Sequence, residues 1–230
     1  MTTLDKELIY VGDPQCSWCW GFAPVKGQIE DLCRGRAVLS LVVGGLHADW
    51  TAPADAERKA FLRDHWREVG ERTGQPFKYD ILDVDGLTYG TEASCRAAVT
   101  VRQMDGNQAA LNLFTGLQRA YYADSRDVTS PDVLADIAAE FGHDRDAFAA
   151  IHAAPETSQR PSPISSLPSA WALKRMIVAR HTCFWAVLWS RTTASRRRRS
   201  VGMAVKDIPV RMCKTHTCAL QWESPIGLAR

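Results

Sequence analysis

The first 45 residues carry two short apolar runs with a helical pattern between them. Leu8-Ile9-Tyr10-Val11 lies inside a stretch that reads as a strand over 6–13, ended by Pro14. From Ser17 to about Arg34, apolar residues recur at helical spacing (Trp18, Phe22, Val25, Ile29, Leu32), and Gly35 supplies a stop. Residues 37–43 form a continuous apolar run closed by Gly44-Gly45, the pattern of a buried parallel strand. A strand, a helix and a second strand within about 40 residues make a βαβ unit.

Beyond Trp50 the periodicity is helical. Helices are predicted over 54–73, 92–104, 108–122, 131–141 and 144–152, with caps at Thr129-Ser130 ahead of Pro131 and at Asp144, and a stop at Gly142. The organisation expected is a βαβ unit over 1–50, a helical block inserted over 51–157 and an atypical segment over 158–230.

Charge sharpens the last boundary. Residues 161–230 carry 12 Lys and Arg against 2 Asp and Glu, whereas residues 1–160 carry 16 against 24. Hydrophobic content of 46% suits a globular protein with a substantial core. No apolar run approaches the roughly 20 residues that span a bilayer, and the N-terminus lacks the basic start and apolar stretch of a secretory signal. The expected compartment is therefore cytoplasmic. Seven cysteines is an odd number, which argues against a fully paired disulfide scaffold.

The chemistry concentrates in Cys16-Ser17-Trp18-Cys19. A strand that ends at Pro14 delivers Cys16 to the start of a helix, where unpaired amides and the dipole favour an anion. The thiolate is the reactive form of cysteine, so this placement is expected to activate Cys16. Cys19, one turn on, can close a disulfide with it. The pair reads as a dithiol–disulfide centre. Cys33 and Cys95 fall at apolar helical positions and read as inert buried thiols, and His47, His65, His143 and His152 as surface or satisfied histidines.

Asp13-Pro14-Gln15-Cys16-Ser17-Trp18-Cys19-Trp20-Gly21-Phe22 resembles the active-site segment of the DsbA-like thioredoxin superfamily, and is most similar to its cytoplasmic FrnE-type branch. Val43-Gly44-Gly45-Leu46, Arg72-Thr73-Gly74-Gln75-Pro76-Phe77, Glu92-Ala93-Ser94-Cys95-Arg96-Ala97 and Leu117-Gln118-Arg119-Ala120-Tyr121-Tyr122 resemble the same branch, so the likeness runs from residue 5 to about 157. It implies an α/β thioredoxin-like fold with a helical domain inserted after the second strand. It implies Cys16 as the attacking thiolate and Cys19 as the resolving thiol. Ser17 and Trp18 form the dipeptide that tunes redox potential, and Pro14 shapes the turn. Protein or small-thiol disulfides are the implied substrates, with no cofactor, no metal, no membrane and no nucleic acid.

The family follows its helical block with a cis-proline segment and two strands, and residues 158–230 lack a recognisable counterpart. A two-base shift of reading frame over His181-Thr182-Cys183-Phe184-Trp185-Ala186 allows Tyr-Leu-Leu-Leu-Gly, which resembles the strand after that proline. Out-of-frame translation from about residue 158 is therefore expected, with the C-terminal strands missing or disordered and first proteolytic cleavage between Glu156 and Ser169. Three other readings stay open. One is a glutathione-dependent isomerase or transferase of the same fold, although such enzymes typically lack the paired thiols. Another is a zinc site joining Cys16 and Cys19 to Cys213, His216 and Cys218. The last takes Arg196–Arg199 as a nucleic-acid or membrane patch.

Overall fold

The computed structural model describes residues 6–154, 176–178 and 187–192. Strand β1 (Lys6–Gly12) pairs in parallel with β2 (Val38–Val43), from Glu7 opposite Val38 to Gly12 opposite Val43. Helix α1 (Ser17–Cys33) makes the crossover, and the expected βαβ unit is present. Two short strands from the C-terminal part, β3 (Met176–Val178) and β4 (Val187–Thr192), complete a sheet of order β2-β1-β4-β3. Strand β4 runs antiparallel to β1, with Lys6 opposite Thr192 and Tyr10 opposite Leu188. The expectation that the C-terminal strands are missing or disordered is corrected at these two segments, which pair along the side of β1 that the βαβ unit leaves open. The pairing supplies a partner where an open edge would otherwise present unpaired backbone groups. The cleavage segment expected after Glu156, the stretch 181–186 on which the reading-frame expectation rests, the arginine run and the candidate zinc ligands Cys213, His216 and Cys218 lie outside the described residues.

The apolar run 37–43 predicted a buried strand, but β2 is the sheet edge, with Val38 42% exposed. Its outer side is covered by side chains instead of by another strand. Asn107 accepts a hydrogen bond from the Leu41 amide at 3.0 Å and donates to the Leu39 carbonyl, while Arg102 donates to the Leu41 carbonyl at 3.1 Å. Asn107 can reach because helix α3 (Glu92–Tyr122) breaks at Gly106, whose φ of 86° and ψ of −177° leave the helical region. The two helices predicted over 92–104 and 108–122 are present as the two arms of α3, joined across the non-helical Gly106. Gly106 takes that conformation without the Cβ clash that penalises other residues.

Between β2 and β3 lie α2 (Ala56–Thr73), α3, α4 (Pro131–Glu140) and α5 (Arg145–Ala153). Asp55 caps α2 by accepting from the Arg58 amide at 2.7 Å, and Asp144 caps α5 by accepting from the Ala147 amide at 2.7 Å. Ser130 occupies the cap position of α4 but makes no side-chain cap bond; Asp127 binds the Thr129 amide and hydroxyl instead. The helical block has its own core around Trp66, Leu117, Tyr121, Tyr122 and Phe148, all at 0% exposure. Trp66 meets Tyr121 and Tyr122 edge-on at 5.5 and 4.9 Å between ring centres. We expect Trp66→Ala to cost about 3–5 kcal/mol, since the indole leaves a cavity that its rigid neighbours cannot fill. Urea unfolding followed by tryptophan fluorescence would measure it.

Candidate active site

Strand β1 stops at Gly12 because Pro14 cannot donate to a sheet ladder. Asp13-Pro14-Gln15-Cys16 then forms a turn closed by the Cys16 amide on the Asp13 carbonyl at 3.2 Å, with proline at the second position, where its fixed φ fits. Asp13 reinforces the turn by accepting the Gln15 amide on Oδ1 at 2.8 Å. The Gln15 carbonyl accepts the hydroxyls of Tyr89 at 2.8 Å and Tyr122 at 2.5 Å, so the peptide before Cys16 is held by the helical block. Gly12 leaves room for this arrangement: a Cβ there would stand 2.9 Å from the Tyr10 ring and 3.0 Å from Phe114.

Cys16 is the N-cap residue of α1, extended in backbone and without a side-chain cap bond. The opening turn of a helix directs its amides toward that end, which favours negative charge there. Cys16 is 6% exposed and Cys19 0%, so only the first thiol has an outlet to solvent. Cys19 sits one helical turn inward and accepts the Asp13 amide on Sγ at 3.3 Å. Burial pushes the Cys19 thiol well above the ordinary cysteine range, with hydrogen bonding and repulsion from Cys16 adding to it. The two sulfurs thus occupy unlike environments. Both are free thiols, as are Cys33 and Cys95.

Helix α1 contains Pro24, which has no N–H to give the Trp20 carbonyl four residues back. Gln75 takes over, donating Nε2 to that carbonyl at 2.9 Å, and Trp20 Nε1 donates to the Pro76 carbonyl at 2.9 Å. Trp20 is therefore an anchor between α1 and the segment after α2. Trp18 is 4% exposed and meets His65 edge-on at 6.2 Å, with the Arg72 guanidinium 5.9 Å from its ring centre. His65 stacks on exposed Phe61 at 5.8 Å, and burial lowers its pKa. Ser17 and Pro14 are buried at the turn. Next to the turn, residues 45–52 line a depression of about 470 Å³.

Of the residues singled out from the sequence, Cys16, Cys19, Pro14, Ser17 and Trp18 come together here. His143 pairs with Asp105 and His152 meets the Ala93 carbonyl. Cys95 was read as an inert core thiol, yet its Sγ lies 3.4 Å from Asp13 Oδ2, beside the redox pair. Asp13, Cys95, Tyr10, Tyr89 and Tyr122 are the site residues that spacing alone missed. Asp13 stood in the motif without a role, and the others are placed by folding. Among the described residues there is no group of three or more His, Cys, Asp or Glu able to hold a metal, and no helix long and apolar enough to cross a membrane.

A parallel βαβ unit that sets C-x-x-C at a helix start, with helices inserted after its second strand, defines a thioredoxin-like fold. No protein-family model matches the chain. It is 32% identical to a Nitrosomonas europaea structure described as a protein disulfide isomerase, with a TM-score of 0.62 over 68% of this chain and 74% of that one. It is 26% identical to the cytosolic disulfide reductase DsbM of Pseudomonas aeruginosa, solved with GSH, with a TM-score of 0.55 over 65% of this chain and 73% of that one. The chain belongs to the DsbA-like thioredoxin superfamily. It is also 20% identical over 142 residues to the ClpXP adapter protein SpxH of Bacillus subtilis (strain 168), a match spanning 62% of this chain and 46% of that protein, so the chain covers less than half the length of that relative.

Proposed function

We propose that this protein is a thiol–disulfide oxidoreductase in which Cys16 attacks and Cys19 resolves. The observation that carries the reading is the unlike setting of the two sulfurs: Cys16 at the helix start with a small opening to solvent, Cys19 fully buried behind it. Cys16 as thiolate attacks a substrate disulfide, forming a mixed disulfide and releasing one substrate thiol. Cys19 then attacks the Cys16 sulfur, which breaks the mixed bond, forms Cys16–Cys19 and releases the second substrate thiol. Two electrons pass to the substrate, and the reverse sequence oxidises a substrate dithiol. Ser17 and Trp18 shape access to Cys16, and Pro14 aims it.

The likeness to a cytosolic reductase solved with GSH supports placing this chain in the cytoplasmic FrnE-type branch, with protein or small-thiol disulfides as substrates. The test is insulin-disulfide reduction by the full chain and by Cys16→Ser. Activity confined to the parent supports the reading, and equal activity in both sinks it.

Residues 158–230 remain best explained as an out-of-frame translation, a reading that rests on their 12 basic against 2 acidic residues from 161 onward and on the recoverable family pattern. Resequencing the gene across the codons for Glu156–Pro163 is expected to reveal a frame change, and a clean single-frame read removes the idea.

A further inference from the structure

Two exposed apolar side chains flank the Cys16 turn. Leu46, 50% exposed, is tied by its own amide to Asp13, and Phe61, 55% exposed, stacks on His65, which meets Trp18 between the two cysteines. Apolar residues scattered singly on a surface need no explanation, but these converge on one site. Phe61 projects from α2, where positions 58, 61, 65 and 72 share one stripe at 3.6 residues per turn. The Arg58 guanidinium lies 4.1 Å from the Trp50 ring centre and 6.0 Å from that of Phe61, and Trp50 lines the depression over 45–52. A continuous strip of rings and cations therefore runs from that depression through Arg58, Phe61 and His65 to Trp18 and Arg72. Charge sets Arg58 apart from the other cations of α2. Arg63 pairs with Asp83, Arg67 with Asp64 and Arg72 with Glu68, while Lys59 donates to the Val84 carbonyl. Among the described residues the Arg58 side chain makes no ion pair, and Asp55 takes only its backbone amide.

We propose that this strip docks the chain of a protein substrate beside its disulfide, and that Arg58 selects segments carrying an aspartate or glutamate next to an aromatic residue. This rests on the redox reading above and names the substrate class for it. The occupant follows from what the strip presents. Trp50 and Phe61 offer ring surface to a side chain that brings a ring of its own, and aromatic pairs add to the area they bury. A guanidinium held against two rings, with no carboxylate of its own, keeps its fork of donors for one that arrives with the substrate. A second copy of this chain centred here would set Arg58 against Arg58, because a two-fold contact brings the same patch from both sides. Selection of this kind acts on encounter and docking and leaves the sulfur chemistry as described: Cys16 attacks and Cys19 resolves.

The test is the second-order rate constant for reaction of the reduced full chain with peptide disulfides that differ only in having Asp, Asn or Lys beside a phenylalanine near the cysteine. Hydroxyethyl disulfide and glutathione disulfide serve as small-molecule arms. The Asp peptide is expected to react about threefold faster than the Asn peptide and about tenfold faster than the Lys peptide, with the gap closing in high salt. Arg58→Gln brings the Asp and Asn peptides together, Arg58→Lys keeps the parent order, and Arg58→Glu reverses it in favour of Lys, which mere loss of packing would not do. Exchanging the peptide's phenylalanine for alanine slows the parent and not Phe61→Ser. If the Arg58 variants do not fold, the charge series on the parent and its salt dependence decide alone. Equal rates for the three peptides in the parent, or an Asp preference that persists in Arg58→Glu, overturn the proposal. So does a faster reaction with glutathione disulfide than with the Asp peptide, which would assign the strip to a small thiol. A parent that reacts with neither the peptides nor hydroxyethyl disulfide overturns the redox reading as well, so the two failures are distinguishable.

Discussion

Cys16→Ser is expected to reduce insulin disulfides no faster than the buffer dithiol alone, while Cys19→Ser accumulates a mixed disulfide through Cys16. The two variants differ because the two sulfurs do. Serine at 16 keeps the turn, the cap position and the helix but loses the soft nucleophile, and no other described thiol can take over. Cys33 is 3% exposed and sits at the far end of α1, and Cys19 and Cys95 are 0% exposed. Serine at 19 leaves the attack intact and removes the only described group one turn from Cys16 that can displace the substrate, so exchange stops halfway. Non-reducing gels of the parent and both variants after exposure to a peptide disulfide separate these outcomes. A stable adduct in Cys16→Ser, or none in Cys19→Ser, would reverse the assignment.

The redox pair was legible in the sequence because its signals are local. A strand ended by proline, two thiols three positions apart and apolar residues at helical spacing all report on neighbours along the chain. The same holds in part for the helical block: the cap read at Asp144 is present, whereas the one read at Thr129-Ser130 makes no side-chain cap bond, Asp127 binding Thr129 instead. What spacing could not show is the contact of Asp13 with Leu46, 33 positions on, or with Cys95, 82 positions on. The kink at Gly106 was half visible, as a gap between two predicted helices. Its purpose was not, because that depends on Asn107 meeting the edge of β2. The run 37–43 misled for a related reason: an apolar strand looks the same whether a second strand or a helix with polar side chains covers its outer side. Trp20 shows the converse, a motif residue without a role in the sequence whose indole and carbonyl tie α1, one turn before Pro24, to Pro76 and Gln75.

Stability is expected to fall steeply above pH 9 in the reduced protein and less steeply in the oxidised one. Burial holds the Cys19 and Cys95 thiols well above their ordinary range, and it does the same to the hydroxyls of Tyr10, Tyr121 and Tyr122. Below the ordinary cysteine pKa both the folded and unfolded chains keep these protons, and the buried thiols contribute fully. As pH rises past it, the unfolded chain releases protons that the folded one retains, so the unfolded state binds fewer and unfolding becomes more favourable. Each such group costs about 1.4 kcal/mol per pH unit until its folded pKa is reached. Cys19 and Cys95 together therefore remove nearly 3 kcal/mol per pH unit, a large share of a typical domain's 5–15 kcal/mol. Closing the Cys16–Cys19 disulfide deletes the Cys19 proton and about half of that slope, and Cys95→Ala deletes the other half. Urea midpoints at pH 7, 9, 10 and 10.5 for reduced, oxidised and Cys95→Ala protein measure it. Parallel slopes in the reduced and oxidised forms would mean that Cys19 is not held as a neutral buried thiol, and the division of labour between the two sulfurs would fail with it.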